Sequence, residues 1–213
     1  MVGVSGQFGE VDAIAPIFAG VIDGFYVDIG AHDGVTDSNT LRFDRQGWRG
    51  VCVEPHRVYY PRLRENRPNA KCLDVAIWKE DVDEIIFHAT TPGGWSRLVK
   101  PLLNADWQAV TSYNVRAITL KRLLEEQNVP TSFELLSVDV EEHESEVLST
   151  FDVAKYRPRV AIVEDMRYKG FDDIFAGYEA LKSWERGVGG QNILYIRDAA
   201  DAAKVRGPWR GRQ

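Results

Sequence analysis

The sequence predicts an α/β fold, a doubly wound and mostly parallel sheet with helices on both faces. Short apolar runs alternate with helical stretches through most of the 213 residues, at the spacing of β-α-β units. Several runs are apolar almost throughout, as expected for strands buried on both faces of a sheet. Two of them end in an acid, Asp28 and Glu54, and a glycine or proline turn follows. Ligands of such sheets bind beyond the carboxyl ends of the strands, so a site is expected at these turns.

The elements are predicted in order from the apolar pattern. In the first half, strands are predicted at 24–29, 50–54 and within 71–78, with helices at 38–46 and 58–66. In the second half, strands are predicted at 133–139, 159–164 and 192–196, with helices at 119–127, around 147–151 and at 172–185. The helix at 172–185 is inferred from apolar residues at helical spacing, Ile174, Tyr178 and Leu181 among them.

A less regular stretch, about residues 80–118, interrupts this alternation after the third strand. Two strands are predicted within it, at 84–88 and 114–118, with glycine, proline and tryptophan residues between them. The stretch is predicted to be a small strand and loop insertion, which either faces a substrate or is an ordinary surface excursion. Since no repeat or linker divides the chain, residues 1–213 are predicted to form a single domain.

Composition and charge disfavour several partners. The net charge of −6 and the lack of a long Lys/Arg run argue against a nucleic-acid partner. No apolar run approaches the roughly 20 residues that a membrane helix needs. The N-terminus lacks the charged and apolar regions of a signal peptide, so a cytoplasmic location is expected. Cys52 and Cys72 are expected to be free thiols in a reducing compartment, although neighbouring strands would also allow a disulfide.

The first motif is the turn after the first strand, VDIGAHDG at residues 27–34. Its glycines, Gly30 and Gly34, allow the backbone to approach a ligand closely. Their spacing differs from the G-x-G-x-x-G pattern of dinucleotide-binding turns, so a pyrophosphate cradle is disfavoured. The strand-end acid Asp28 instead suits a cationic ligand group, and a tight turn that binds nothing is the alternative.

The second motif is the end of the second strand, where Glu54 precedes Pro55. An acid at this position can accept hydrogen bonds from both ribose hydroxyls of an adenosine. Glu54 alone is also consistent with an exposed charge at a strand end. The pair formed by Asp28 and Glu54, each closing an apolar strand, indicates a nucleoside cofactor.

The third motif is the acidic stretch 136–144, at the end of the fourth parallel strand. In a doubly wound sheet this loop faces the first glycine turn across the switch point. Asp139, Glu141 and His143 are the candidate catalytic residues, because a carboxylate or an imidazole there can take a proton from a substrate hydroxyl. His143 has two further interpretations, a metal ligand or a plain surface residue. The three side chains together could also hold a hard divalent cation, but the pattern is too weak to assign metal ligands.

Six blocks of sequence, taken in order, resemble the FkbM family of S-adenosylmethionine (SAM)-dependent methyltransferases, which have a class I Rossmann-like fold. The blocks are QFGE (7–10), VDIGAHDG (27–34), SNT (38–40), GWRGVCVEP (47–55), ENR (65–67) and LSVDVE (136–141). The resemblance covers about residues 7–197, and it depends on the order and spacing of the blocks more than on any one of them. It implies SAM as the cofactor and O-methylation of a hydroxyl on a sugar, a glycan or a natural product.

By position, the resemblance also implies which residues contact SAM. They are Asp28, Gly30, Ala31, His32, Gly34, Asn39, Thr40, Glu54, Pro55, Asp74, Val75, Ser137 and Asp139. The first glycine turn would line the methionine part and Glu54 would bind the ribose. Asp74 and Val75 would lie near the adenine, with Ser137 and Asp139 beside the methyl-transfer centre.

Two other functional classes compete with this interpretation. A nicotinamide-dependent oxidoreductase is disfavoured by the glycine spacing and by the lack of a Tyr-x-x-x-Lys motif. A non-catalytic module that binds SAM, or nothing, is favoured by Glu142, which stands where the family commonly has a glycine. Because the chain has no room for a large cap domain, the acceptor must be recognised by the 80–118 insertion or by a partner subunit. A homodimer is therefore expected.

Overall fold

The computed structural model describes residues 6–90, 96, 98, 111–166, 169–182, 192–207 and 209–211. In chain order, the elements are α1 (Glu10–Ile14), a 3-10 helix (Ala15–Phe18), β1 (Phe25–Ile29), α2 (Leu41–Asp44), β2 (Arg49–Val53), α3 (Tyr59–Asn66), β3 (Lys71–Leu73), β4 (Ala76–Ile77), β5 (Val82–Ala89), β6 (Thr111–Ile118), α4 (Leu120–Glu126), β7 (Ser132–Val138), α5 (Glu144–Leu148), β8 (Arg157–Glu164), β9 (Glu179–Lys182), β10 (Asn192–Ile196), α6 (Ala199–Ala202) and β11 (Arg210–Gly211). Eight strands form one sheet in the order β11-β9-β10-β8-β7-β1-β2-β3, and three form a second in the order β4-β6-β5.

Five adjacent strands of the large sheet are parallel. β1 pairs with β2 on one side and with β7 on the other, and β3 and β8 extend the two halves in the same direction. β10 then runs antiparallel between β8 and β9. The strand order reverses between β1 and β7, which creates a switch point at their carboxyl ends. The predicted doubly wound, mostly parallel α/β fold is confirmed.

Strand β1 is covered by helices on both faces of the sheet, which explains its apolar sequence. Val27 and Ile29 pack into one hydrophobic cluster together with residues of α4 and α5. Tyr26 packs into a second cluster together with residues of α1 and α3. Successive residues of a strand face opposite sides of the sheet, so helices cover both sides here. The side chains from Tyr26 to Ile29 are consequently at most 5% exposed.

The second sheet corresponds to the predicted insertion. β5 and β6 form an antiparallel pair, and β4 lies parallel beside β6. The third predicted strand, 71–78, therefore splits into β3 of the large sheet and β4 of the small one. The loop between β5 and β6 lies outside the described residues apart from 96 and 98, so its substrate-facing role stays a prediction. The single domain over 1–213 likewise stays a prediction.

The helix predicted at 172–185 is wrong in the part that the structure describes. Residues 172–177 form turns, and β9 follows them and pairs with β10. Gly177, with a φ of 85°, adopts the left-handed conformation just before this strand. Leu181 lies opposite Leu194, because β9 is an antiparallel neighbour of β10. The apolar residues were therefore at helical spacing by coincidence, since strand pairing buries Leu181.

Cys52 and Cys72 are free thiols at paired positions of β2 and β3. Cys52 is buried and Cys72 is half-buried. The expectation of free thiols is thus met, and the alternative disulfide is absent. In the described part of the chain, no helix has the length and apolar character needed to cross a membrane.

Candidate active site

A cavity of about 550 Å³ opens at the carboxyl ends of β1, β2, β7 and β8. Its size is typical of a small-molecule or cofactor pocket. Most of the candidate residues line it, namely Asp28, Gly30, Ala31, His32, Asn39, Glu54, Pro55, Val75, Ser137, Asp139, Glu141 and His143. Gly34, Thr40 and Asp74 do not line it. Gly34 and Thr40 are buried, whereas Asp74 is exposed to solvent.

The glycine turn after β1 and the loop after β7 touch each other. Gly30 has a φ of 84°, and a Cβ atom at this position would lie 1.7 Å from the carbonyl oxygen of Asp139. The backbone N–H of Asp139 donates to the carbonyl of Ile29 over 3.0 Å, which holds the two loops together. Only glycine fits this turn, because any side chain would overlap with the neighbouring backbone. The predicted contact of these loops across the switch point is confirmed.

Asp28 is fixed by two hydroxyl groups. The Thr40 hydroxyl donates to its carboxylate over 2.5 Å, and Ser137 forms a second side-chain hydrogen bond with it. Burial raises the pKa of Asp28, while the nearby Arg67 guanidinium and these hydrogen bonds act in the opposite direction. Residues from three separate segments therefore hold the Asp28 carboxyl in place in the cavity wall.

Arg67, which follows α3, organises the loop behind the cavity. Its side chain is 1% exposed, and it donates to the Gly34 carbonyl over 2.7 Å and to the Ser38 hydroxyl over 2.6 Å. It also donates to the Tyr26 hydroxyl and lies 3.9 Å from the carboxylate of Asp44. This buried network fixes the segment between the glycine turn and α2, because it satisfies polar groups that water cannot reach.

Glu54, at the end of β2, presents a carboxylate whose orientation is set by the backbone. One carboxylate oxygen accepts a hydrogen bond from the N–H of His32 over 2.8 Å. The other accepts from the N–H of His56 over 2.7 Å. Burial raises the pKa of Glu54 to about 7 in spite of these two hydrogen bonds. Each oxygen still has a lone pair available to a ligand.

Three carboxylates gather on the β7–β8 side of the cavity. Oxygen atoms of Asp139, Glu141 and Glu164 all lie within 4.8 Å of one another. The side chains of Asp139 and Glu164 influence each other's pKa directly. Burial is the largest cause that raises the pKa of both, and the neighbouring carboxylates raise that of Glu164 further. Such a pair retains a proton more readily than an isolated carboxylate does.

His143 lies in the cavity wall but outside this carboxylate group. It is 7% exposed, which contradicts its interpretation as a plain surface residue. Its ring packs edge-on against Trp78 at 5.3 Å, and its Nδ1 lies 4.0 Å from the Glu146 carboxylate. The sequence pattern grouped His143 with Asp139 and Glu141. In the structure, Glu164 is the third member of that cluster instead.

Glu142 adopts a backbone conformation that favours glycine. Its φ is 74° and that of Glu141 is 57°, so both residues adopt the left-handed conformation. A side chain is strained there by about 1 kcal/mol relative to glycine. The chain thus makes this turn without a glycine, at some cost in backbone strain.

Glu164 is the site residue that the sequence analysis missed. It ends β8, a strand that is buried along most of its length, and it lines the cavity. The same signal that identified Asp28 and Glu54, an acid at the end of an apolar strand, was present at Glu164 and was given no role. Its place beside Asp139 depends on the pairing of β7 with β8.

Comparison with known proteins places the chain in a family. The model described as "Methyltransferase FkbM domain" matches residues 28–187, and no curated protein matches the chain. Two solved structures are distantly similar. A TehB-like SAM-dependent methyltransferase from Corynebacterium glutamicum ATCC 13032 Kitasato has 11% identity and a TM-score of 0.44, over 88% of this chain and 85% of that one. Precorrin-6y C5,15-methyltransferase from Geobacter metallireducens GS-15 has 11% identity and a TM-score of 0.44, over 89% and 87%. Because the family model spans most of the sequence, the chain belongs to the FkbM methyltransferase domain family.

Proposed function

We propose that this protein transfers the methyl group of SAM to a hydroxyl group of a small-molecule acceptor, such as a sugar, a glycan or a natural product. The observation that carries the proposal is the cavity at the switch point, which combines a fixed carboxylate on the β2 side with a group of carboxylates on the β7–β8 side. When bound, SAM supplies a methyl group already activated by the sulfonium, so the protein has mainly to align the reactants and exclude water.

The cavity residues fit SAM in three respects. The two oxygens of Glu54 are held 2.8 Å and 2.7 Å from backbone donors, which leaves a lone pair on each for the two ribose hydroxyls. Asn39 lines the cavity, and its buried Oδ1 has no hydrogen-bond partner in the described part of the chain. An unsatisfied buried acceptor suits the ammonium group of the methionine part. Asp28 adds a carboxyl group to the same wall.

Asp139 is the residue we assign as the proton acceptor. A hydroxyl nucleophile has to lose its proton, and Asp139 lines the cavity beside the glycine turn. The loss of solvent around this half-buried carboxyl raises its pKa, which makes its carboxylate a better proton acceptor than a solvated aspartate. Glu141 lies beside it and can take the same role. His143 is turned toward Trp78 and Glu146, so we place it third.

The affinity for SAM is expected to fall as the pH falls below about 7. The pKa of Glu54 is about 7 in the free protein, and a protonated carboxyl can no longer accept from both ribose hydroxyls. If binding requires the ionised form, the affinity at pH 6 is about tenfold lower than at pH 8. Calorimetric titration with S-adenosylhomocysteine at both pH values measures this. The Glu54→Gln side chain does not titrate, so the affinity of this variant should be the same at both pH values. An equal fall in affinity between pH 8 and pH 6 in the variant would argue against this role of Glu54.

Methyl transfer itself is tested with isotopically labelled SAM and a panel of hydroxyl, amine and thiol acceptors. We expect label in hydroxyl compounds, and we expect Asp139→Asn to lower kcat by about 10²–10⁴ while the SAM affinity changes little. Asp83→Asn, a change at an exposed carboxylate of β5, serves as the control. Label found only in amines or thiols would contradict the hydroxyl assignment. SAM binding without transfer to any acceptor would favour the non-catalytic module. The predicted homodimer stays a prediction.

A further inference from the structure

The carboxylates on the β7–β8 side are close enough to share one ion. Asp139 and Glu141 follow β7, and Glu164 ends the adjacent parallel strand β8, so strand pairing brings the three together. Their oxygen atoms lie within 4.8 Å of one another. Two oxygens bound to the same cation at about 2.1–2.4 Å are at most about 4.2–4.8 Å apart. One hard cation can therefore contact all three with little movement.

A second observation at Glu164 points to a ligand. Glu164 is 8% exposed, and its Oε2 is buried and has no hydrogen-bond partner within the described residues. Buried polar atoms are nearly always satisfied, and an exception suggests an ion or a water that belongs there. Glu164 lines the cavity, so an ion that reached the cavity would meet this oxygen.

The surrounding charges also favour a cation. No lysine or arginine of the described ranges forms an ion pair with Asp139 or Glu164. The groups that act on these two carboxyls through space are acidic, and they include Asp28 and Glu144. A buried carboxylate such as Glu164 is costly without a compensating charge. The described residues place no cationic side chain in an ion pair with it, and a bound metal ion would supply that charge.

We propose that Asp139, Glu141 and Glu164 bind one hard divalent cation of the Mg²⁺ or Mn²⁺ class. Carboxylate oxygens are the ligands that such ions prefer, and the lack of an imidazole or a thiolate in the group disfavours zinc. If each residue gives one oxygen, the remaining coordination positions are open to water or to a ligand in the cavity. The further role of the cation, holding the hydroxyl oxygen of the acceptor, rests on the proposed methyl transfer, whereas cation binding does not.

The test is a titration of the purified full chain with Mn²⁺, followed by the electron paramagnetic resonance signal of the free ion. We expect saturation at one Mn²⁺ per chain, displaced by excess Mg²⁺, and at least about tenfold weaker binding in Glu164→Gln. Glu141→Gln, at a partly exposed position, provides a second variant if Glu164→Gln does not fold. Asp83→Asn should bind Mn²⁺ as the wild type does. An absent saturable site, or unchanged affinity in folded Glu164→Gln and Glu141→Gln, would overturn the proposal.

The same samples separate this proposal from the proposed function. Glu54→Gln is expected to keep the Mn²⁺ affinity of the wild type and to lose SAM affinity, because Glu54 is not one of the three carboxylates. Mn²⁺ binding in a wild-type protein that does not bind SAM would leave the cation site intact and reject the cofactor. SAM binding without a saturable Mn²⁺ site would reject the cation alone.

Discussion

Replacing Gly30 with alanine is expected to destabilise the protein by about 2–4 kcal/mol and to abolish SAM binding. The added Cβ would stand 1.7 Å from the carbonyl oxygen of Asp139. That oxygen belongs to the backbone, and the Asp139 N–H holds the same loop to the Ile29 carbonyl. The oxygen therefore cannot move aside unless the contact between the two loops opens. The positive φ adds about 1 kcal/mol of strain.

The matched control for this change is Gly47→Ala. Gly47 has a φ of 94°, but nothing lies within 4 Å of the position of its Cβ. It should therefore show only the conformational cost of about 1 kcal/mol and an unchanged SAM affinity. Urea unfolding and calorimetry measure both effects. Equal losses of stability in the two variants would mean that the loops do not pack as described.

Replacing Arg67 with methionine is expected to lower the free energy of unfolding by about 3–5 kcal/mol. Methionine roughly matches the length of the arginine stem but removes its donors to Gly34, Ser38 and Tyr26. The carboxylate of Asp44, 3.9 Å from the guanidinium, would lose its nearby positive charge. Breaking a buried charge network from one side is costly, because the remaining groups stay buried without a partner.

The control for Arg67 is Arg64→Met, in the last turn of α3, the helix that Arg67 follows. Arg64 is exposed, and such surface changes usually stay within about 0.5 kcal/mol. Arg67→Met should also weaken SAM binding, since Arg67 favours the ionised form of Asp28. Urea unfolding of both variants gives the stability difference. A loss below about 1 kcal/mol for Arg67→Met would show that the buried network contributes little.

The sequence predicted the features that depend on local pattern. Asp28, Glu54 and Asp139 were assigned to one site because each closes an apolar strand, and parallel strands end at the same edge of a sheet. Periodicity alone failed at the described residues 172–182, where pairing of β9 with β10 buries Leu181. Short apolar runs are ambiguous in this way, since burial and not local preference decides their structure.

The features that the sequence did not predict depend on contacts between distant residues. Arg67 was given no role beyond its place in the ENR block, because its partners Tyr26, Gly34 and Ser38 lie 29 to 41 positions away in the sequence. Glu164 carried the right local signal, but its role follows from its distance to Asp139. Contacts between distant residues depend on the order of the strands in the sheet, which the local sequence pattern does not predict.

SAM binding in the cavity at the switch point is the basis of the proposed function. Its most direct test is calorimetric titration of the wild-type protein and Glu54→Gln with SAM and S-adenosylhomocysteine at pH 8, where Glu54, with a pKa of about 7, is ionised. We expect one site for each ligand in the wild type and at least about tenfold weaker binding in the variant, because two hydrogen bonds to a charged acceptor are weakened. A folded wild type that binds neither ligand, or equal affinity in the two proteins, would contradict it.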